Sequence, residues 1–100
     1  MDVTIKNEGA VCFVTLNGRL DTTNVQRFNE DIIPVMESDA KEIELDCSGM
    51  SYTSSQGLRS FLTLQKRIES KGGKMVLKNM QPNVKQVFDI TGFSNIFKII

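Results

Sequence analysis

The sequence contains no histidine and no tryptophan, one tyrosine, two cysteines and two prolines in 100 residues. Without histidine it lacks the commonest general base, the commonest neutral metal ligand and the partner of a serine–histidine nucleophile. Catalysis is therefore disfavoured from the outset, and no cofactor or bound metal is expected. Two cysteines are too few for a disulfide scaffold. Cys12 and Cys47 lie in apolar, strand-like surroundings without the paired spacing of a zinc or redox site, and read as buried free thiols. No apolar run approaches the roughly 20 residues that span a bilayer. The N-terminus, Met1 to Lys6, has neither the basic nor the hydrophobic segment of a secretory signal, so the expectation is a cytoplasmic protein with no membrane insertion.

What is present describes an ordinary folded domain. A length of 100 residues suits one core and not two, so residues 1–100 are expected to form a single domain. Net charge is zero but unevenly shared: residues 1–50 carry four basic and ten acidic side chains, residues 51–100 eight basic and two acidic. The basic residues are scattered over several expected elements without interleaved aromatics, which argues against direct nucleic-acid binding. Solvated faces and attraction to a charged protein partner explain the asymmetry as well.

Along the chain, residues 2–7 alternate with Val3 and Ile5 on one face, as a half-solvated strand does. Glu8-Gly9 supplies a turn, and the run Val11 to Leu16, apolar on both faces, reads as a second strand pairing with the first as a hairpin. Gly18-Arg19-Leu20-Asp21 leads out of it. Asp21, Thr22 and Thr23 are candidate caps for a helix whose inner face is Val25, Phe28, Ile32 and Val35 or Met36, with a kink or a fresh turn near Pro34. Glu42 to Asp46 alternates as a third strand with Ile43 and Leu45 inward. A short polar loop, two adjacent serines and an amphipathic helix over Leu58, Phe61, Leu62, Leu64 and Ile68 follow, and Gly72-Gly73 ends that helix. Met75 to Leu77 is a fourth strand. Pro82 opens a helix with Val84, Val87, Phe88 and Thr91 inward, and residues 96–100 read as a last strand. Phe13, Phe28, Phe61 and Phe88 are expected in the core. A hairpin followed by alternating helices and strands implies an α/β fold: a mixed, mostly parallel sheet of four to five strands with three or more crossover or flanking helices.

In such sheets the loops at the carboxyl ends of strands share an edge. Asp21, leaving the second strand, and Ser54-Ser55, leaving the third, would meet there. A serine at a helix start accepts one of the unpaired N–H groups as a cap, typically worth about 1 kcal/mol, and either Ser54 or Ser55 can do so. The same position tolerates phosphate, which the helix dipole stabilises and which would add roughly −1.5 to −2 charges to a docking edge. Gly57 would let a partner's backbone or a nucleotide approach closely, and Arg59, one turn into the helix, could contact an acidic partner. A nucleophilic Ser55 would need a lysine or aspartate in place of histidine, and no Ser-x-x-Lys spacing begins at Ser54 or Ser55. Asp21 and Asp46, two carboxylates of unknown separation, do not make a magnesium site.

The stretch Leu45-Asp46-Cys47-Ser48-Gly49-Met50, then Tyr52, then Ser54-Ser55-Gln56-Gly57-Leu58, resembles the signature of STAS domains, the fold of bacterial anti-sigma factor antagonists. Gly18-Arg19-Leu20-Asp21 is similar to the family's upstream Gly-x-Leu-Asp landmark. The resemblance implies a binding module without catalysis. Such a module docks on an anti-sigma factor that is also a serine kinase, is released when that kinase phosphorylates it, and is restored by a PP2C-type phosphatase. It places Ser55 at the phosphorylated serine, with Ser54 as rival acceptor, and Asp21 at the acid of the docking edge. Thr22, Ser54, Ser55, Gln56, Gly57 and Arg59 complete the expected partner-binding set. Ser54 stands where the family has aspartate and Gln56 where it has serine. An STAS module that binds a partner constitutively, as a subunit of a signalling or transport complex, is the alternative.

Overall fold

The computed structural model describes all 100 residues. Strand β1 (Asp2–Glu8) pairs antiparallel with β2 (Val11–Leu20) through a tight turn at Gly9-Ala10, with Val3 opposite Leu16 and Ile5 opposite Val14. The chain then runs through α1 (Val25–Asp31), α2 (Ile33–Met36), β3 (Glu42–Thr53), α3 (Ser55–Ser70), β4 (Lys74–Lys78), α4 (Pro82–Ile90), a 3-10 turn (Phe93–Asn95) and β5 (Lys98–Ile99). Proline lacks the N–H a helix interior needs, and Pro34 accordingly sits in the first turn of α2, which splits the expected helix in two at Ile32.

The five strands are ordered in space as in sequence, with β2 to β5 mutually parallel. Every crossover therefore steps the same way. Right-handed connections that all step one way place all their helices on one face of the sheet. The burial pattern agrees: Cys12, Val14, Leu16, Ile43, Leu45, Met75 and Leu77 are buried under the helices, whereas Phe13, Thr15, Glu44, Asp46 and Lys78 point to the opposite, uncovered side. Phe13, expected in the core, is only half-buried for this reason. The core aromatics instead form a chain of ring contacts, Phe28 to Phe61 at 5.5 Å, Phe61 to Phe88 at 6.1 Å and Phe88 to Phe97 at 5.6 Å. On α4, Val84 and Phe88 are buried and Val87 half-buried, but Thr91 is exposed, its hydroxyl donating back to the Val87 carbonyl at 2.8 Å.

The largest departure from the sequence expectation is β3. Residues 47–53, expected as a loop, continue the strand to Thr53. Its register against β2 jumps from Thr15↔Asp46 to Asn17↔Gly49 and from Gly18↔Met50 to Arg19↔Tyr52, so β3 carries an extra residue at each of two bulges. The bulges shift which side chains face inward: the buried positions run Ile43, Leu45, Cys47, Met50 and Thr53. A side chain at Gly49, at the first bulge, would displace the Asn17 side chain and crowd the strand: a Cβ there would stand 1.8 Å from Asn17 Oδ1 and 3.0 Å from the Leu16 carbonyl oxygen. β2 is likewise longer than expected and ends at Leu20. Both strands thus reach the same edge of the sheet.

Candidate functional site

β2 and β3 end side by side, Leu20 opposite Thr53. The Ser54 N–H donates to the Leu20 carbonyl at 2.9 Å, which holds the residue after β2, Asp21, next to the start of α3. Ser54 has extended backbone (φ −90°, ψ 171°) and its Oγ accepts from the Gly57 N–H at 3.2 Å. That is a helix cap. Ser55 is the first residue of α3, exposed, and no hydrogen bond within the chain engages its hydroxyl. The sequence left both serines as candidate caps; the fold gives the cap to Ser54 and leaves Ser55 free at the surface.

Asp21 does not cap α1. That helix starts at Val25 behind Asn24, which makes no side-chain cap bond. Instead Asn24 ties the end of β2: its Oδ1 accepts from the Asp21 N–H at 2.9 Å and its Nδ2 donates to the Arg19 carbonyl at 2.8 Å. The Asp21 carboxylate accepts from the Thr23 hydroxyl and, at 2.9 Å, from the Thr23 N–H. Those bonds, with Arg19 at 3.8 Å, hold its carboxyl below the ordinary value of 3.8. A fixed negative charge therefore stands on the edge beside the two serines, and Thr22 is exposed at the tip of the same turn.

Gly57, expected to let a partner's backbone or a nucleotide approach, is packed inside the chain. It is buried, and a Cβ built there would lie 2.5 Å from Thr53 Oγ1 and 2.8 Å from Leu20 Cδ2. Its missing side chain lets α3 lie close against the ends of β2 and β3, which is what brings Ser55 to the edge. Gln56 and Arg59 are both exposed. They line one wall of an open groove of about 530 Å³, with Thr63 on the same helix and Val25, Asn29 and Met36 across from it on α1 and α2.

One pair at this edge was not legible in sequence. The Arg19 guanidinium lies 4.5 Å from the centre of the Tyr52 ring, a cation–π contact between residues that face each other in the β2–β3 register. Tyr52 is 38% exposed, and arginine and tyrosine are residue types that concentrate binding energy in protein interfaces. The signal that finds the pair is strand register, which the unseen bulges obscured.

The remaining candidate groups are committed elsewhere. Asp46 accepts from the Ser48 N–H at 3.0 Å and from Asn79 Nδ2 at 3.4 Å. The Ser48 N–H lowers its carboxyl most, with Asn79 and Lys78 adding to it. Cys47 is pushed up to about 12, by burial first and by Asp46 second, and burial also raises Cys12, so both are inert thiols at neutral pH. No helix is long and apolar enough to cross a membrane.

With the strand end, capped helix and acidic edge described, the comparison with known proteins is direct: the STAS domain family matches residues 2–100. The chain belongs to that family. This STAS domain is 27% identical to the anti-sigma-B factor antagonist of Bacillus subtilis, over 99% of this chain and 90% of the relative. It superposes on the anti-sigma factor antagonist SpoIIAA in its unphosphorylated form with a TM-score of 0.81, at 20% identity, covering 99% of this chain and 88% of the other. The phosphorylated form of the Bacillus SpoIIAA matches with a TM-score of 0.72, at 19% identity, covering 99% and 91%. The α/β fold, with its mixed five-stranded sheet and flanking helices, is thus that of the STAS domain.

Proposed function

We propose that this STAS domain is an anti-sigma factor antagonist whose docking edge is switched by phosphorylation at Ser55. The observation that carries the reading is the division of labour at the start of α3: Ser54 is occupied as the cap while Ser55 presents an uncommitted, exposed hydroxyl beside the fixed charge of Asp21. The expected partner is an anti-sigma factor with serine kinase activity, docking over Asp21, Thr22, Ser54, Ser55, Gln56 and Arg59. In the switching step Ser55 Oγ attacks the γ-phosphorus of ATP held by the partner. An Oγ–P bond forms, the bond to the β-phosphate oxygen breaks to release ADP, and the hydroxyl proton passes to the kinase. The added charge, roughly −1.5 to −2, falls beside Asp21 and opposes docking. A PP2C-type phosphatase reverses the step with water, returning the hydroxyl and inorganic phosphate. This chain supplies the substrate hydroxyl and no catalytic group. A relative that exists in phosphorylated and unphosphorylated forms supports the reading, as does the 27% identical antagonist.

The test pairs phosphate mapping with binding. The kinase that co-purifies with the protein from its native cytoplasm is incubated with it and ATP, and phosphate is located by mass spectrometry. Incorporation at Ser55, with Ser55→Ala retaining and Ser55→Asp losing the kinase, is the expected result. Phosphate at Ser54 alone would move the switch by one residue. No incorporation, together with equal binding of both variants, would replace the switch by a constitutive binding module.

A further inference from the structure

The groove beside Ser55 contains a cation with no assigned partner. Arg59 lies four residues after Ser55 on α3, on the same helical face, and both are exposed. Arg59 takes part in none of the ion pairs of the chain, which join Lys6–Glu8, Arg19–Asp21, Arg27–Asp31, Lys78–Glu44 and Lys85–Asp89. The first turn of α3 holds no acidic side chain, and the other cations of this segment, Lys66, Arg67 and Lys71, lie at the far end. So one flexible guanidinium stands a single turn from the proposed phosphate, with no competing carboxylate between them.

We propose that Arg59 is the residue that receives the phosphate of phosphorylated Ser55 and that, in turning toward it, leaves the groove between α1 and α3. The proposal rests on Ser55 as the modified residue and adds a second consequence of modification. An acidic group four residues before a basic one is the favourable helical orientation, and an arginine fork bonds two phosphate oxygens at once. At present Arg59 gives the wall opposite Val25 and Asn29 its positive charge. Once paired with phosphate, it no longer offers that charge to an acidic side chain of a docking partner. Phosphorylation thereby changes two places on the edge: the hydroxyl itself and the adjoining groove.

The test needs neither kinase nor partner. Phosphoserine is installed at position 55 by encoded incorporation in the otherwise unchanged chain and in Arg59→Gln and Arg59→Lys variants. Phosphorus NMR then follows the second ionisation of the phosphate, near pH 6 for a free phosphoserine. The helix start acts equally on all three, so the difference between them reports the side chain. The expected result is a phosphate at least about threefold more acidic with Arg59 than in R59Q, with R59K between them because it keeps charge but not the fork. Side-chain signals of Val25 and Asn29 should shift on phosphorylation in the Arg59 protein and remain in place in R59Q. Identical phosphate titrations in all three proteins, or groove shifts independent of Arg59, would overturn the proposal. Because the phosphoserine is incorporated during synthesis, a cellular kinase that ignores Ser55 would defeat the antagonist switch without altering this result.

Discussion

The two adjacent serines show how neighbouring residues of one type take different roles once a helix begins between them. Ser54 satisfies the Gly57 N–H, one of the donors left unpaired at the start of α3. Ser54→Ala removes that bond and should cost about 1 kcal/mol, lowering Tm by about 4 to 8 °C in a domain of this size. Ser55→Ala removes a hydroxyl that makes no bond within the chain and should leave Tm within about 2 °C. Calorimetry on the two variants reads this difference directly, and equal losses would show that both hydroxyls support the fold. Tyr52 and Arg19 teach the complementary point. Nothing in either segment alone pairs them, and they become an edge feature only through register.

At the scale of elements, α3 is positioned by what one of its residues lacks. Gly57 has no side chain, and the space a Cβ would need is filled by Thr53 Oγ1 and by Leu20. Two effects compete in Gly57→Ala. Helix propensity alone would stabilise by about 1 kcal/mol, whereas forcing a methyl into packed surroundings typically costs 1 to 3 kcal/mol. The contact distances decide for the second, so the variant should lose about 1 to 2 kcal/mol in urea unfolding and shift α3 away from the ends of β2 and β3. A gain in stability would show that the strand ends yield easily. The other end of α3 is held by Lys71, whose Nζ donates to the Met36 carbonyl at 2.7 Å and also to the Ser38 carbonyl. Between them these contacts tie α3 to β2, β3 and the end of α2.

For the whole molecule, the absent histidine and the raised thiols leave few side chains to titrate near neutrality. Stability should therefore be level from about pH 5.5 to about pH 8. In acid the behaviour changes. Asp21, Asp46 and Asp89 are all more acidic in the folded chain than their ordinary value of 3.8. The unfolded chain then binds more protons, so their stabilisation is complete above that value and is lost as pH falls through the lower folded values. Thermal melts from about pH 5 to about pH 2 should show a falling Tm, with a smaller fall in Asp46→Asn. A Tm that stays level through this range would mean that the hydrogen bonds from Thr23 to Asp21, from Ser48 to Asp46 and from the Ser94 hydroxyl to Asp89 do not persist in solution.

The linear sequence determined the α/β class, the helix faces of Phe28, Phe61 and Phe88, the break at Pro34 and the position of Ser55 at a helix start. These rest on local periodicity, turn residues and capping, which neighbouring residues dictate among themselves. Tertiary structure alone decided the rest. The bulges in β3 break the two-residue alternation that marks a strand, so residues 47–53 read as a loop until pairing with β2 showed otherwise. Strand order decided that every helix lies on one face, which moved Phe13 out of the core. Close packing of α3 on the strand ends made Gly57 an internal contact. Each depends on strand β2, distant along the chain from β3 and α3, and local pattern carries no information about which side such a neighbour will cover.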